Sequence, residues 1–353
     1  MRVAFVSSHT TDRRDTPGNR RVRRVAEGLS QKGHEVAVFC TQWWEGETVT
    51  EFERDGVTYH AVTDTPAPLT FATKLPFALS SFNPDIIHAT PTPPAQVVGA
   101  RLTTLFSRTP VLVDWYGDDD PPDSWRGRYP ARAPTAVITP SRMVSTWVRE
   151  SGASAEAVEI IPQGVDISLI ADTDPNDGVD VVTASRMDDH ANLDSLFLAL
   201  AELRDRDWHA VVIGDGPNRA AFEQQAGDLR IADRITFTGS LTPAERVAYY
   251  KGAHVFTHTA TRTPFATELL WGLACGCIGI VEYHTNSAAH ELVEGLKRGF
   301  RATSPPEIAN AIEEAGSLDT RPTDERFFKY SHDAMLERYL TCYSAVRDDA
   351  GLF

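Results

Sequence analysis

Along the whole chain, short runs of β-branched and aliphatic residues alternate with stretches whose apolar positions recur every three or four residues. Runs of four to eight such residues between turn formers read as buried strands, and the spaced pattern reads as one face of a helix. In the first half, strands are expected at 3–8, 35–41, 85–90, 110–116 and 136–141. Between the first two, Arg20–Lys32 sets Val22, Val25, Ala26 and Leu29 on one helical face, and Gly33 stops that helix as a glycine C-cap does. After VEIIPQGVD (158–166) comes ISLIADTDPNDGVD, whose proline, glycine and aspartates read as an interdomain linker. The alternation then restarts, with strands expected at 181–186, 209–217, 234–239, 254–260 and 277–283, and helices at 193–203 and 268–274. In the tail, Leu336, Tyr339, Leu340 and Tyr343 fall at i, i+3, i+4 and i+7, which predicts a long closing helix. Strands joined by helical crossovers make parallel sheets covered on both faces, so the fold class is α/β, with two halves of the same architecture.

Length and composition narrow this picture. A chain of 353 residues suits two domains of ordinary size. No stretch reaches the roughly 20 apolar residues of a membrane span, and the brief apolar run at the start reads as a first strand, not a secretory signal. A cytoplasmic protein is expected, with attachment to the inner membrane face left open. The net charge of −15, from 49 acidic and 34 basic residues, fits either adaptation to high salt or an ordinary acidic protein. It argues against nucleic acid as a partner. Cys40, Cys275, Cys277 and Cys342 lack the spacing of a metal or redox site and are expected to be buried thiols.

In open parallel sheets, ligands sit beyond the carboxyl ends of the strands, beside helix N-termini. Several unusual residues follow the expected strands. VVIGDGP runs from a strand into the turn Gly214-Asp215-Gly216-Pro217, where the backbone could approach a phosphate, although a purely structural turn fits equally. Arg186 closes the strand VVTASR and is suited to a bidentate grip on a diphosphate, or is a surface arginine. Arg13, Arg14, Arg20, Arg21, Arg23 and Arg24 surround the turn Thr16-Pro17-Gly18-Asn19; they would bind a phosphate or an anionic membrane, or form a solvated helix face. His254 and His258 share a strand face, and Asp114, Asp118, Asp119 and Asp120 cluster after a strand. Core histidines and a hydrated loop are the preferred readings of these two groups, so no metal is expected. No G-x-S-x-G elbow, P-loop or H-E-x-x-H helix occurs.

The order of these segments resembles that of family 4 of the retaining glycosyltransferases over nearly the whole chain. The resemblance is carried by RVRRVAEGLSQKGHEVAVFCT, PDIIHAT, VITPSRMVSTWVRESGASAEAVEIIPQGVD, ASRMDDHANLDSLFLALAEL, HAVVIGDGPNRAAFEQQAGDLRIADRITFTGSL and PFATELLWGLACGCIGIVEY with HELVEG. It implies the GT-B fold: two Rossmann-like domains, 1–167 and 168–325, with parallel sheets facing a central cleft, and a closing segment, 326–353, that crosses back to the first. It implies a hexosyltransferase that works with retention, without metal or cofactor. A nucleotide-sugar donor would lie on the second domain and a glycan or lipid-linked acceptor on the first. Arg186 matches the family's phosphate-binding arginine, Glu291 a donor-site glutamate and Phe265 a family phenylalanine. The departures lie in the donor site. The expected lysine is Ala191, the two donor-gripping glutamates are Thr263 and Trp271, the glycine pair is Gly18-Asn19, and the donor-touching histidine is Tyr116. Glu268, one helical turn before Trp271, is the expected substitute, and Arg20, Arg21, Arg23 and Arg24 are expected to face acceptor or membrane. The competing reading is a catalytically silent GT-B protein used as a membrane- or partner-binding module.

Overall fold

The computed structural model describes residues 1–46, 50–105, 107–119 and 124–351. They form two units, Met1–Pro162 with Met335–Phe353, and Gln163–Ala334. The sequence divides instead at 167 and at 325. The expected linker is in part regular structure, because Asp166 caps a helix over Ile167–Asp172 by accepting from the Leu169 N–H.

The first unit begins with β1 (Arg2–Val6), α1 (Pro17–Gln31) and β2 (Glu35–Thr41). The hairpin β3 (Glu51–Arg54) and β4 (Val57–Thr63), then α2 (Pro68–Phe82), β5 (Ile86–Ala89) and α3 (Pro94–Thr103) follow. It continues with β6 (Val111–Asp114), α4 (Tyr129–Arg132), β7 (Ala136–Thr139), α5 (Arg142–Glu150) and β8 (Val158–Ile160). The strands lie in the order β3-β4-β2-β1-β5-β6-β7-β8, all parallel except β3. Every residue of β5, β6 and β7 is buried, as expected of strands covered on both faces. On one face, Phe71, Leu75 and Leu79 of α2, Val97 of α3 and Val144 and Val148 of α5 pack on Ala4, Val6, Ile87 and Val113 of the sheet.

A long last helix numbered after the second unit's elements closes this unit, and it is held by charge as well as by packing. This helix covers His332–Asp349, and from Met335 onward it belongs to the first unit. Its Tyr339 hydroxyl donates to Asp114 Oδ2 at 2.6 Å, and the Arg21 Nε donates to the same oxygen at 2.9 Å. Tyr343 hydrogen-bonds His88 Nδ1 at 2.5 Å, and His88 Nε2 lies 3.5 Å from Asp114. All five side chains are buried. Burial by itself would raise the Asp114 pKa, but the Arg21 charge and the His88 and Tyr339 contacts outweigh it and hold the carboxyl at about 2. The expected closing helix is therefore present, and it seals a buried ion pair.

The second unit is built from α6 (Ile167–Asp172), β9 (Val179–Ala184), α7 (Leu193–Glu202), β10 (Ala210–Ile213), α8 (Arg219–Asp228), β11 (Ile235–Gly239) and α9 (Pro243–Gly252). Next come β12 (Ala253–His258), β13 (Arg262–Thr263), α10 (Thr267–Ala274), β14 (Ile278–Glu282), β15 (Asn286–Ser287) and α11 (His290–Val293). The unit ends with β16 (Gly299–Ala302) and α12 (Pro305–Ala315); the closing helix described above is thus α13. Its six-stranded sheet is parallel throughout, in the order β11-β10-β9-β12-β14-β16, and β13 pairs with β15 separately. Leu193, Leu196, Phe197 and Leu200 of α7 interlock with Val181, Val212 and Val255 of the sheet and Ile308 of α12. Among the described residues no helix is long and apolar enough to cross a membrane.

Candidate active site

Each sheet has one point where successive connections leave in opposite directions, and ligands of open α/β sheets bind beyond the strand ends there. In the first unit that point lies between β1 and β5. A cavity of about 110 Å³ opens beside it, lined among others by His9, Gly18, Asn19, Thr90, Asp114 and Tyr116. Gln96 fixes its floor by accepting from the Ser8 N–H at 2.8 Å and donating to the Thr90 hydroxyl and carbonyl. Burial, and then Arg14 and Arg13, hold the His9 pKa below its ordinary value.

Gly18 and Asn19 lie in the first turn of α1, not in a preceding turn, because Thr16 caps the helix and Pro17 starts it. The Thr16 hydroxyl and the Gly18 N–H both donate to Asp118, at 2.6 and 3.1 Å. A carboxylate of the chain itself thus occupies the anion-binding end of α1. A Cβ at Gly18 would stand 2.4 Å from Asp118 Oδ2 and push that carboxylate aside. Asn19 donates to the Arg14 carbonyl at 2.7 Å, and Tyr116 is buried.

The arginine run divides. Arg21 is 2% exposed and paired with Asp114, so its expected place facing acceptor or membrane is corrected: it is an interior residue. Arg23 is half-buried between Glu27 and Asp55, Arg20 pairs with Asp15 at 3.4 Å, and Arg24 is exposed. Arg14 holds Asp119 at 2.8 Å. Of the acidic cluster, Asp114, Asp118 and Asp119 are all committed to partners of the protein, and Asp120 lies outside the described residues.

In the second unit the directions change between β9 and β12. Arg186 follows β9 with its side chain 75% exposed, and among the described residues its one charged contact is to Asp188 at 3.5 Å. The loop after β9 is zipped to the loop after β10: the Met187 N–H donates to the Asp215 carbonyl, and the Asn218 N–H to the Met187 carbonyl, both at 3.0 Å. This explains the glycines. Gly214 has φ +127° and a Cβ there would meet the Ser185 carbonyl at 2.0 Å; one at Gly216 would meet the Met187 carbonyl at 2.3 Å. Gly214→Ala is therefore expected to cost at least about 1–3 kcal/mol from backbone strain alone. Urea unfolding of the second unit would read this, and an unchanged midpoint would mean that the two loops part without cost. Pro217 is exposed beside this turn.

Phe265 is buried just before α10, and Glu291 sits in the first turn of α11. Glu268, the expected substitute donor ligand, has both oxygens engaged: Arg246 Nη1 donates to one and the Tyr250 hydroxyl to the other, at 2.7 Å. It links α10 to α9, and Trp271 is half-buried one turn later. Ala191 is buried. His258 bonds the Thr263 hydroxyl at 3.1 Å, and burial with the nearby His284 pushes its pKa to about 4. His254 bonds the Ala315 carbonyl, so the two histidines serve different contacts.

One constellation escaped the sequence reading. Asn192, in a left-handed conformation with φ 50°, donates to Glu282 at 2.8 Å and to the Thr259 carbonyl at 3.1 Å. Ser195 donates to the other Glu282 oxygen, and His284 lies 3.5 Å from the carboxylate. Glu282 is 5% exposed, so this knot ties the start of α7 to the ends of β12 and β14 through buried hydrogen bonds. The buried hydroxyls of Ser185 and Ser287 have no hydrogen-bond partner among the described residues. A buried orphan hydroxyl at Ser185, the residue before the exposed Arg186, is what a polar ligand would satisfy.

The family model described as Glycosyltransferase Family 4 matches residues 18–169, and that described as Glycosyl transferases group 1 matches residues 171–332. The chain belongs to the family 4 glycosyltransferases of GT-B fold. Among curated relatives, an alpha-monoglucosyldiacylglycerol synthase of Streptococcus pneumoniae is 28% identical over 196 residues, 51% of this chain and 44% of that protein. A GDP-mannose-dependent alpha-(1-6)-phosphatidylinositol monomannoside mannosyltransferase of Mycolicibacterium smegmatis is 31% identical over 178 residues, 45% of each. The matches thus span about half the length of these relatives. A solved glycosyltransferase of Rickettsia africae has the same fold, with a TM-score of 0.80 and 18% identity over 98% of both chains. In this GT-B glycosyltransferase, Ala191, Thr263 and Trp271 stand at the positions where the resemblance leads to a lysine and two glutamates.

Proposed function

We propose that this glycosyltransferase moves a hexose from a nucleotide-sugar donor, held by the second unit, to a lipid-linked or membrane-lipid glycan acceptor taken by the first. The observation that carries the reading is the exposed Arg186 guanidinium at the switch point, beside the Gly214–Pro217 turn. A guanidinium fork neutralises the diphosphate as the glycosidic bond breaks and charge passes to the leaving phosphate, so its grip is stronger in the transition state than in the ground state. The orphan Ser185 and Ser287 hydroxyls offer further hydrogen bonds to donor oxygens. Transfer with retention fits a site in which Glu268 is tied to Arg246 and Tyr250 and is no nucleophile. The lipid acceptor is supported by the two curated relatives, both named for glycolipids, and a GDP-sugar donor by the relative named as GDP-mannose-dependent.

Neither a metal nor a cofactor is needed in this reading, because arginine and backbone N–H groups offset the phosphate charge. Activity is therefore expected to persist in EDTA. Strict dependence on added Mg²⁺ or Mn²⁺ would overturn this part of the proposal.

A second reading, a silent binding module, is favoured by one set of observations: Thr263 and Trp271 stand where donor-gripping carboxylates are expected, and Glu268 is committed elsewhere. Calorimetric titration separates the two. Binding of UDP-glucose or GDP-mannose, weakened by Arg186→Ala, is expected for the transferase; no heat from any sugar nucleotide at millimolar concentration would leave the module.

A further inference from the structure

The second surface feature of the first unit lies on α2 and α3. Among the described residues, eight large apolar side chains are exposed, and five are here: Leu69 and Phe77 of α2, each 80% exposed, Val98 and Leu102 of α3, and Leu105 just after it. The two helices touch closely, since a Cβ on Gly99 would stand 2.7 Å from the Ala72 carbonyl. Their inner faces supply Phe71, Leu75, Leu79, Val97 and Ala100 to the core, so the outward residues are not needed for folding. Val98, Leu102 and Leu105 follow the i, i+4, i+7 spacing of one helix face. A cluster of this kind on a protein surface marks an interaction site.

Charge tells which partner it fits. The protein carries 49 acidic residues, yet neither α2 nor α3 contains one. Between Thr65 and Pro110 the single acid is Asp85, which accepts from the Arg2 N–H, while Lys74, Arg101 and Arg108 are basic. An apolar face framed by cations, in an otherwise acidic molecule, suits an anionic lipid surface: the aliphatic and aromatic groups enter the acyl boundary and the bases meet headgroup phosphates. The arginine run of α1 is a poorer candidate, since Arg21 is buried and Arg20 and Arg23 are paired with acids.

We infer that the α2–α3 face docks the enzyme on anionic bilayers through Leu69, Phe77, Leu102 and Leu105, with Lys74 and Arg101 at the headgroups. This locates the surface that would bring a lipid acceptor to the first unit, and in that respect it rests on the proposed function; the docking itself does not. The test is flotation of the whole protein with vesicles of phosphatidylcholine mixed with phosphatidylglycerol. Phe77→Ser with Leu102→Ser should lower the partition coefficient at least about tenfold, as loss of two inserted apolar groups implies. Lys74→Glu should weaken it too, with the loss shrinking as salt rises. Leu198→Ser, an exposed apolar change on α7 of the second unit, should leave it unaltered. These substitutions are at exposed positions, and unchanged unfolding would confirm that the fold is intact. Equal binding to pure phosphatidylcholine would overturn the inference, as would release by Arg20→Ser with Arg24→Ser but not by the α2–α3 changes. So would a dimer in sedimentation that Phe77→Ser dissociates, because the face would then belong to a second copy. Calorimetry with sugar nucleotides is unaffected by any of these changes if only docking is lost, so failure of donor binding and failure of docking are read separately.

Discussion

Arg21→Ala is expected to lower the stability of the first unit by about 3–5 kcal/mol, because it strands the Asp114 carboxylate in the interior. The carboxylate would keep the Tyr339 hydroxyl and the nearby His88 but lose the cation that holds its pKa at about 2. Replacing both partners, Arg21→Met with Asp114→Leu, should recover only part of the loss: two charges are no longer desolvated, but the buried Tyr339 hydroxyl loses its acceptor. The sign of the pH dependence follows. The folded pKa of Asp114 lies below the ordinary aspartate value near 3.9, so its contribution is complete above about pH 4 and is lost as pH falls toward 2. Urea unfolding between pH 5 and 2 should show this slope in the wild type and a flatter one in Asp114→Asn. Equal stability of Arg21→Ala and wild type would mean that water or another group replaces the guanidinium.

Arg186→Ala should reduce kcat/KM by about 10²–10³, the usual cost of removing one preorganised donor to developing charge. The side chain is 75% exposed and, among the described residues, makes one weak charged contact, so the fold should be untouched and the effect confined to turnover. Arg186→Lys should recover little, because a single ammonium cannot form the two parallel bonds of a guanidinium to phosphate. A larger fall in kcat than rise in KM would assign the interaction to the transition state. Full activity in the alanine variant would remove Arg186 from the chemistry and shift the donor grip to the glycine turn.

Most strands and the closing helix could be read from the sequence because their signals are local: a buried parallel strand is a short apolar run wherever it occurs. The β3–β4 hairpin was missed, although Asp55 and Gly56, both with positive φ, are the residue pair that a tight hairpin turn favours. Its strands alternate apolar and polar positions and lack the continuous runs that marked the rest. The division of the arginine run was not legible either. Arg20, Arg21, Arg23 and Arg24 look alike in the sequence, and only Asp114, 93 positions beyond Arg21, makes one of them an interior residue. The same holds for Asp118 on the α1 terminus and Glu282 on Asn192, which are long-range pairs between unremarkable loops. Gly214 and Gly216 were visible as a turn, but the reason for them, the carbonyls of Ser185 and Met187 pressed against their backbones, was not.

The return of α13 has a consequence for biosynthesis. The second unit, Gln163–Ala334, is one uninterrupted stretch, whereas the first is completed only by residues from Met335 onward. On the ribosome, segment 1–162 therefore emerges with Arg21, His88 and Asp114 in place but without Tyr339 and Tyr343 to cover them. The later-made unit can finish folding while the earlier one still waits for its last helix, which reverses the N-terminal-first order that chain growth usually imposes. For that interval the nascent first unit exposes the groove that α13 will fill, and it is then that the protein most needs shielding from aggregation.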